Sequence, residues 1–319
     1  MDNHLISPLG IFTWTIIGSM SMVAILGNGF IIIVNGNQWL QTRKMAPSDF
    51  LLTSLSISRV FWYVTFGLSH LLKFGDAFIY SSAQEVLNFV CIFSGMASLW
   101  CASWLSVFYC VKVTNFANRF LLWLKPRINV LSIRLLGMSI SSLVVMFIPF
   151  FCSYAEEKKR CNLTGSLPVN ISQRKACQAL YFIFLPFHLI VASMNFIIGI
   201  TATILLLLSL WKHTRNLKKS GIGAKDLSTQ IHINVMKSLV CYIFLYILYF
   251  AGMLNLASNV HTAGAMRLLS DILLTTFPSA HTIILVLSNP KLKALLAPES
   301  REPAGDALAA SPGYRICVR

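Results

Sequence analysis

Polar positions interrupt this chain so as to leave seven long apolar stretches, near residues 11–34, 50–72, 86–111, 130–152, 181–211, 235–257 and 267–287. A helix needs roughly 20 predominantly apolar residues to cross a hydrocarbon core of about 30 Å. In lipid every backbone polar group must be satisfied internally, so only helices and closed barrels span a membrane. These stretches are too long and too evenly apolar for barrel strands. The pattern predicts an all-α protein, a bundle of seven transmembrane helices. The connections leave no room for a separate soluble domain, so residues 1–296 are expected to form one bundle. The tail from 297 to 319 is rich in Ala, Pro and charge and is expected to be disordered.

Composition sharpens the picture. Of the 319 residues, 56% are hydrophobic, well above a soluble domain. The chain starts Met1-Asp2-Asn3-His4 without a basic segment, and the first apolar stretch is longer than a signal-peptide core. That stretch is therefore expected to be a retained helix.

The net charge of +15 raises the question of a nucleic-acid partner, and its distribution answers it. With the N-terminus outside, eighteen of the 26 Lys and Arg residues fall on the inner side, seven on the outer side, and Arg59 inside a span. This is the positive-inside bias, so the charge reports topology, with an extracellular N-terminus and a cytoplasmic C-terminus. Contact with anionic lipid of the inner leaflet is a second role for the same residues. No nucleic-acid partner is implied.

The long outer loop after the fourth stretch carries two glycosylation acceptors, Asn162-Leu-Thr164 and Asn170-Ile-Ser172, on the side the charge bias places outside. Cys161 and Cys177 flank them. A bridge between these cysteines, or from one of them to Cys91, and free thiols are both open. The remaining span cysteines are expected to pack as small apolar groups.

Polar residues inside a span are costly and face the bundle interior. Asn28 lies in the first stretch between Gly27 and Gly29, and Arg59 lies well inside the second. A guanidinium there needs several acceptors, and Asn28 together with carbonyls or polar groups of the seventh helix are the expected partners. That makes an interhelical polar network, either a static latch or one whose rearrangement couples the two faces. Asp271, Tyr249 and Trp100 fall in the outer half, where aromatic groups and one acid would suit an amphiphile-sized pocket. Packing aromatics, and an Asp271 paired with Arg267 one turn earlier, are the plainer alternatives. No nucleophile elbow, zinc-protease motif, phosphate loop or paired intramembrane carboxylates occur, and no His/Cys spacing matches a metal site. Neither catalysis nor a cofactor is expected. A small transporter would need a matched polar path through the midplane, and Arg59 has no acid at its level.

Motifs in six places resemble the type 2 taste receptor (bitter taste receptor) family over nearly the full length. They are LGNGFIIIVNGNQW, APSDFLLTSLSISR, WLSVFYCVKVTNF with FLLWLKPRI, LLLLSLWKHTRNL, KDLSTQIHINVMKSL and PSAHTIILVLSNPKLKALL, in the right order and each at the right span. Five positions depart from the family pattern: Asn118-Arg119 in the second inner connection, Thr282 after His281, Val235 in the sixth helix, and a bulky Trp104 below Trp100.

The resemblance implies a G protein-coupled receptor in the plasma membrane. Small bitter compounds would enter its outer half near Trp100, Trp104, Tyr249 and Asp271. The acid would favour cationic or hydrogen-bond-donating ligands. Lys112, Arg127 and His213 would face a gustducin-like inhibitory heterotrimeric G protein, with phospholipase C and calcium release downstream. A vomeronasal-type pheromone receptor and an extra-oral chemosensor share this architecture. Oligomerisation is left open.

Overall fold

A computed structural model describes residues 8–74, 82–114, 119–163, 171–219, 227–258 and 265–296. Its helices are α1 (Pro8–Thr42), α2 (Pro47–Phe74), α3 (Ser82–Val113), α4 (Arg119–Leu124), α5 (Ile128–Leu163), α6 (Ile171–Lys219), α7 (Leu227–Ser258), α8 (Ala265–Ser288) and α9 (Pro290–Leu296). Seven of them, all but α4 and α9, are long and apolar enough to cross a membrane. Each expected stretch lies inside one of these seven. Most helices run past the apolar residues at both ends, because intrahelical hydrogen bonding continues into the polar flanks once a helix is nucleated.

Two short helices stand where the hydropathy pattern predicts only connections. α4 and α9 have 6 and 7 residues, far below the length that marks a span. Leu124 of the first and Leu292 of the second are buried in the same core as Ile31, Leu55, Phe108 and Ile128. The inner end of α1 closes at Arg43, whose backbone is left-handed (φ 52°) and whose N–H donates to the Trp39 carbonyl at 2.8 Å. That is the geometry of a helix C-terminal stop, adopted here without glycine.

α3 is the central post, packed against α2, α5 and α6, while α8 packs between α1 and α7. The core divides accordingly. One cluster joins α1, α2, α3, α5 and α8 through Ile31, Leu52, Leu105, Leu136 and Val286. Another joins α3, α6, α7 and α8 through Leu99, Ala192, Tyr246, Met253 and Phe277, and two smaller ones pack α3 against α5 and α6 around Met96 and against α6 around Leu206. α1 and α5 are the least buried spans, and α1 turns Phe12, Met22, Leu26 and Ile33 outward, where lipid would meet them. Without a hydrophobic drive between helices in lipid, close packing and interhelical hydrogen bonds hold the bundle together. Close approach occurs at Gly199, where an added Cβ would lie 3.0 Å from Tyr246 Cε1. Beside it the Ser103 hydroxyl of α3 donates to the Asn195 carbonyl of α6 at 3.1 Å.

Candidate functional site

The polar centre of the bundle is built on Arg59, which is 1% exposed halfway along α2. Its Nη1 donates to the Thr282 hydroxyl at 3.0 Å. Its Nη2 lies 2.7 Å from His281 Nδ1. A guanidinium only donates, so Nδ1 is the accepting nitrogen and the ring proton sits on Nε2. Asn28 of α1 reaches the same hydroxyl, Nδ2 donating at 3.0 Å, and also donates to the Ala24 carbonyl at 2.7 Å. The Thr282 hydroxyl in turn donates to the Pro278 carbonyl at 2.8 Å. One donation and two acceptances use its full capacity. The structure thus brings Asn28 and Arg59 together through a third residue rather than directly.

A second layer lies toward the outer side. The Tyr63 hydroxyl is 2.8 Å from the Thr275 carbonyl and 2.5 Å from Ser279 Oγ. Ser279 Oγ is in turn 3.1 Å from the Met20 carbonyl, so α1, α2 and α8 are tied again. Both layers bracket Pro278, which lies inside α8 and has no N–H to donate.

Opposite Arg59, α7 presents Tyr242, Tyr246 and Tyr249, all buried on one helical face. Phe277 of α8 stacks on Tyr246 with centroids 4.8 Å apart and lies 5.2 Å from Tyr249. Tyr242 packs on His281 at 4.6 Å. Between these walls is a narrow cavity of about 10 Å³, lined by Arg59, Trp62, Gly95, Ser98, Leu99, Ala102, Tyr249, Phe277 and Pro278. Of this group only Tyr249 was singled out from sequence as a pocket residue. Tyr242 and Tyr246 carried a legible signal, the i, i+4, i+7 spacing that puts three tyrosines on one stripe.

The four residues expected at a pocket fall into three places. Tyr249 faces the cavity just described. Asp271 is half-buried near the outer end of α8, about two turns before Pro278. Trp100 and Trp104 stack on each other at 6.0 Å on the side of α3 that meets α5, and the Trp104 indole N–H donates to Ser139 Oγ at 3.1 Å. The Arg267 side chain, the side chains of Cys161, Asn162 and Cys177, and residues 170 and 297–319 lie outside the described structure.

At the inner end, a cavity of about 270 Å³ opens between α3, α6 and α7, lined by Val113, Ser209, Leu210, Lys212, His213, Asn216 and His232. The rings of His213 and His232 meet edge to face at 5.3 Å. Lys112, beside Val113, is exposed and holds its Nζ over the Phe108 ring at 5.0 Å. Arg127 lies after α4, its guanidinium 4.5 Å over the Trp123 ring. Among the described residues no group of three or more His, Cys, Asp or Glu comes together to hold a metal.

A polar group unmarked by the sequence reading ties the inner ends of α1, α2 and α9. Lys291 Nζ donates to Asn35 Oδ1 at 3.3 Å and to Gln38 Oε1, and lies 4.0 Å from Asp49 Oδ2.

Comparison with known proteins covers almost all of this architecture. The family described as taste receptor protein (TAS2R) matches residues 5–297. Taste receptor type 2 member 104 of Rattus norvegicus is 30% identical over 283 residues, 86% of this chain and 90% of its own length. Taste receptor type 2 member 7 of Papio hamadryas is 31% identical, with 87% and 88% covered. Taste receptor type 2 member 10 of Pan troglodytes is 32% identical, with 89% and 91% covered.

Proposed function

The chain belongs to the taste receptor protein (TAS2R) family, and from that premise we propose that it senses small bitter compounds and signals through a gustducin-like inhibitory G protein. Members of this family are receptors and not enzymes, and the seven apolar helices make this one a multi-pass membrane protein of the plasma membrane. The observation that carries the reading is the extent of the match. Residues 5–297 include every span, both polar layers and the inner cavity.

Agonists enter from the outer half, where Tyr249 and Asp271 stand on α7 and α8 and Trp100 and Trp104 on α3. The buried tyrosine stripe and Phe277 supply apolar walls, and Asp271 supplies a counter-charge for amines. Trp104 adds bulk that narrows the range of accepted compounds. A ligand that binds one arrangement of α7 and α8 better than another shifts the bundle toward it. The polar layers around Pro278 transmit that shift, because they join α1, α2 and α8 at one level.

The inner cavity between α3, α6 and α7 is the exit for the signal, with Lys112, Arg127 and His213 around it. Release of βγ subunits then drives phospholipase C and calcium release. The test is a calcium assay in cells co-expressing this receptor and a gustducin-tailed promiscuous G protein, screened with chemically diverse bitter compounds. Responses absent from mock-transfected cells, and lost on Trp100→Ala at equal surface expression, support the reading. Silence across the panel with the receptor at the surface counts against it.

A further inference from the structure

Three of the seven tryptophans are exposed: Trp39 at the inner end of α1, Trp123 in α4 and Trp211 toward the inner end of α6. The other four are half-buried. Each exposed indole carries the arginine four residues on. The guanidinium carbon of Arg43 lies 5.5 Å from the Trp39 ring, that of Arg127 4.5 Å from Trp123, and that of Arg215 5.6 Å from Trp211. All three arginines are exposed, and none pairs with a carboxylate among the described residues.

The three pairs stand at one level of the bundle. Leu124, next to Trp123, shares a core cluster with Val111 at the inner end of α3 and Leu292 of α9. Gln38, next to Trp39, accepts a hydrogen bond from Lys291, the neighbour of Leu292. Leu210, next to Trp211, lines the inner cavity together with Val113 of α3. α1, α4 and α6 share no substantial interface with one another, so the pairs occupy separate points of the perimeter. Apolar side chains turn outward around them, among them Leu40, Leu122 and Leu208.

An exposed indole between apolar residues and a charged group suits the membrane–water boundary. A guanidinium stacked on a ring is already oriented, and its planar fork matches the oxygens of a phosphate. We propose that the three Trp–Arg pairs are binding sites for anionic phospholipid of the inner leaflet. Each indole seats the glycerol region and each arginine holds the headgroup phosphate. A zwitterionic lipid brings its own ammonium beside that phosphate, so a lipid with net negative charge binds more tightly. The positive-inside bias spreads lipid contact over eighteen basic residues, whereas the structure selects three. Bound lipid at these points fixes the height of the inner ends around the inner cavity. The inference goes beyond the agonist reading and stands without it.

The experiment is native mass spectrometry of the full-length receptor in detergent, with phosphatidylserine or phosphatidylcholine added at equal concentration. Phosphatidylserine is expected to be retained about fivefold more strongly per site, the strength that one arginine near an anionic leaflet supplies. The triple variant Arg43→Gln, Arg127→Gln, Arg215→Gln alters only exposed side chains and is expected to fold and to lose the preference. Trp39→Leu, Trp123→Leu and Trp211→Leu together keep the charge and are expected to lose most of it. Removing three exposed inner charges that have no indole, by Lys44→Gln, Lys237→Gln and Lys293→Gln, is expected to keep it. Equal retention of the two lipids overturns the proposal. Equal losses in the arginine and lysine triples also overturn it, by making the preference one of net charge. Displacement of phosphatidylserine by excess inorganic phosphate overturns it as well, by making the ligand a free anion and not a lipid.

Discussion

Arg59 and Thr282, on helices separated by most of the chain, share a hydrogen bond of 3.0 Å at the centre of the bundle. The hydroxyl that accepts it also accepts from Asn28 and donates to the Pro278 carbonyl. Removing that hydroxyl leaves two buried donors short of an acceptor, each costing about 1–3 kcal/mol. Thr282→Val keeps the shape and loses the hydroxyl, so its unfolding midpoint is expected to fall sharply. Thr282→Ser keeps all three bonds and is expected to stay close to the parent. Equal midpoints for the two variants would show that the network adds nothing to stability.

Gly27 and Thr282 form a coupled pair. A Cβ at Gly27 would sit 2.9 Å from Thr282 Cγ2, closer than real contacts allow. Gly27→Ala is therefore expected to push α1 off α8 and to destabilise by about 1–3 kcal/mol. Thr282→Ser removes the methyl that the new Cβ strikes. The double variant is expected to recover most of the loss, a coupling that independent sites would not show. Thermal unfolding of the four proteins in the cycle measures it.

The seven spans were legible because the length of an apolar run is a one-dimensional signal. α4 and α9 were not, because a helix of 6 or 7 residues has no run to detect, and the burial of Leu124 and Leu292 is set by the fold. The same boundary separates what was readable at the polar centre. That Arg59 needs acceptors follows from its position in a span. That they are His281 and Thr282 depends on how α2 and α8 are rotated against each other. For Trp104 the residue type suggested a pocket lining, and that its indole N–H also meets Ser139 of α5 depends on a partner fixed only by the fold.

Tyr63 tests the second layer. Its hydroxyl joins α2 to the Thr275 carbonyl and Ser279 of α8, beside Pro278. Tyr63→Phe removes the hydroxyl and leaves the ring in place, and it is expected to cost about 1–2 kcal/mol. If the layer also transmits the ligand signal, the variant lowers the maximal calcium response at equal surface expression.

The group around Lys291 is expected to behave differently. Lys291 and Asp49 have side chains 38% and 19% exposed, and their charges lie 4.0 Å apart. Water and salt screen such a pair, so Lys291→Met should change stability by less than about 1 kcal/mol. A drop as large as that of Thr282→Val would mean that α9 is far more important to the bundle than its exposure implies. Unfolding midpoints at low and high salt distinguish the two, because a screened pair loses its small contribution as salt rises.

Asp271 separates ligand classes. It is half-buried toward the outer end of α8, where an amine would find a carboxylate in a partly dry setting. A hydrogen-bonded charge pair there is worth about 1.5–3 kcal/mol, at least a tenfold change in affinity. Asp271→Asn is therefore expected to weaken amine agonists by about tenfold or more and to leave neutral agonists within about twofold. Concentration–response curves for one amine and one neutral agonist, run on the same cells, provide the comparison. Unchanged responses to both would remove Asp271 from the pocket, and equal losses would point to a structural role for the carboxylate.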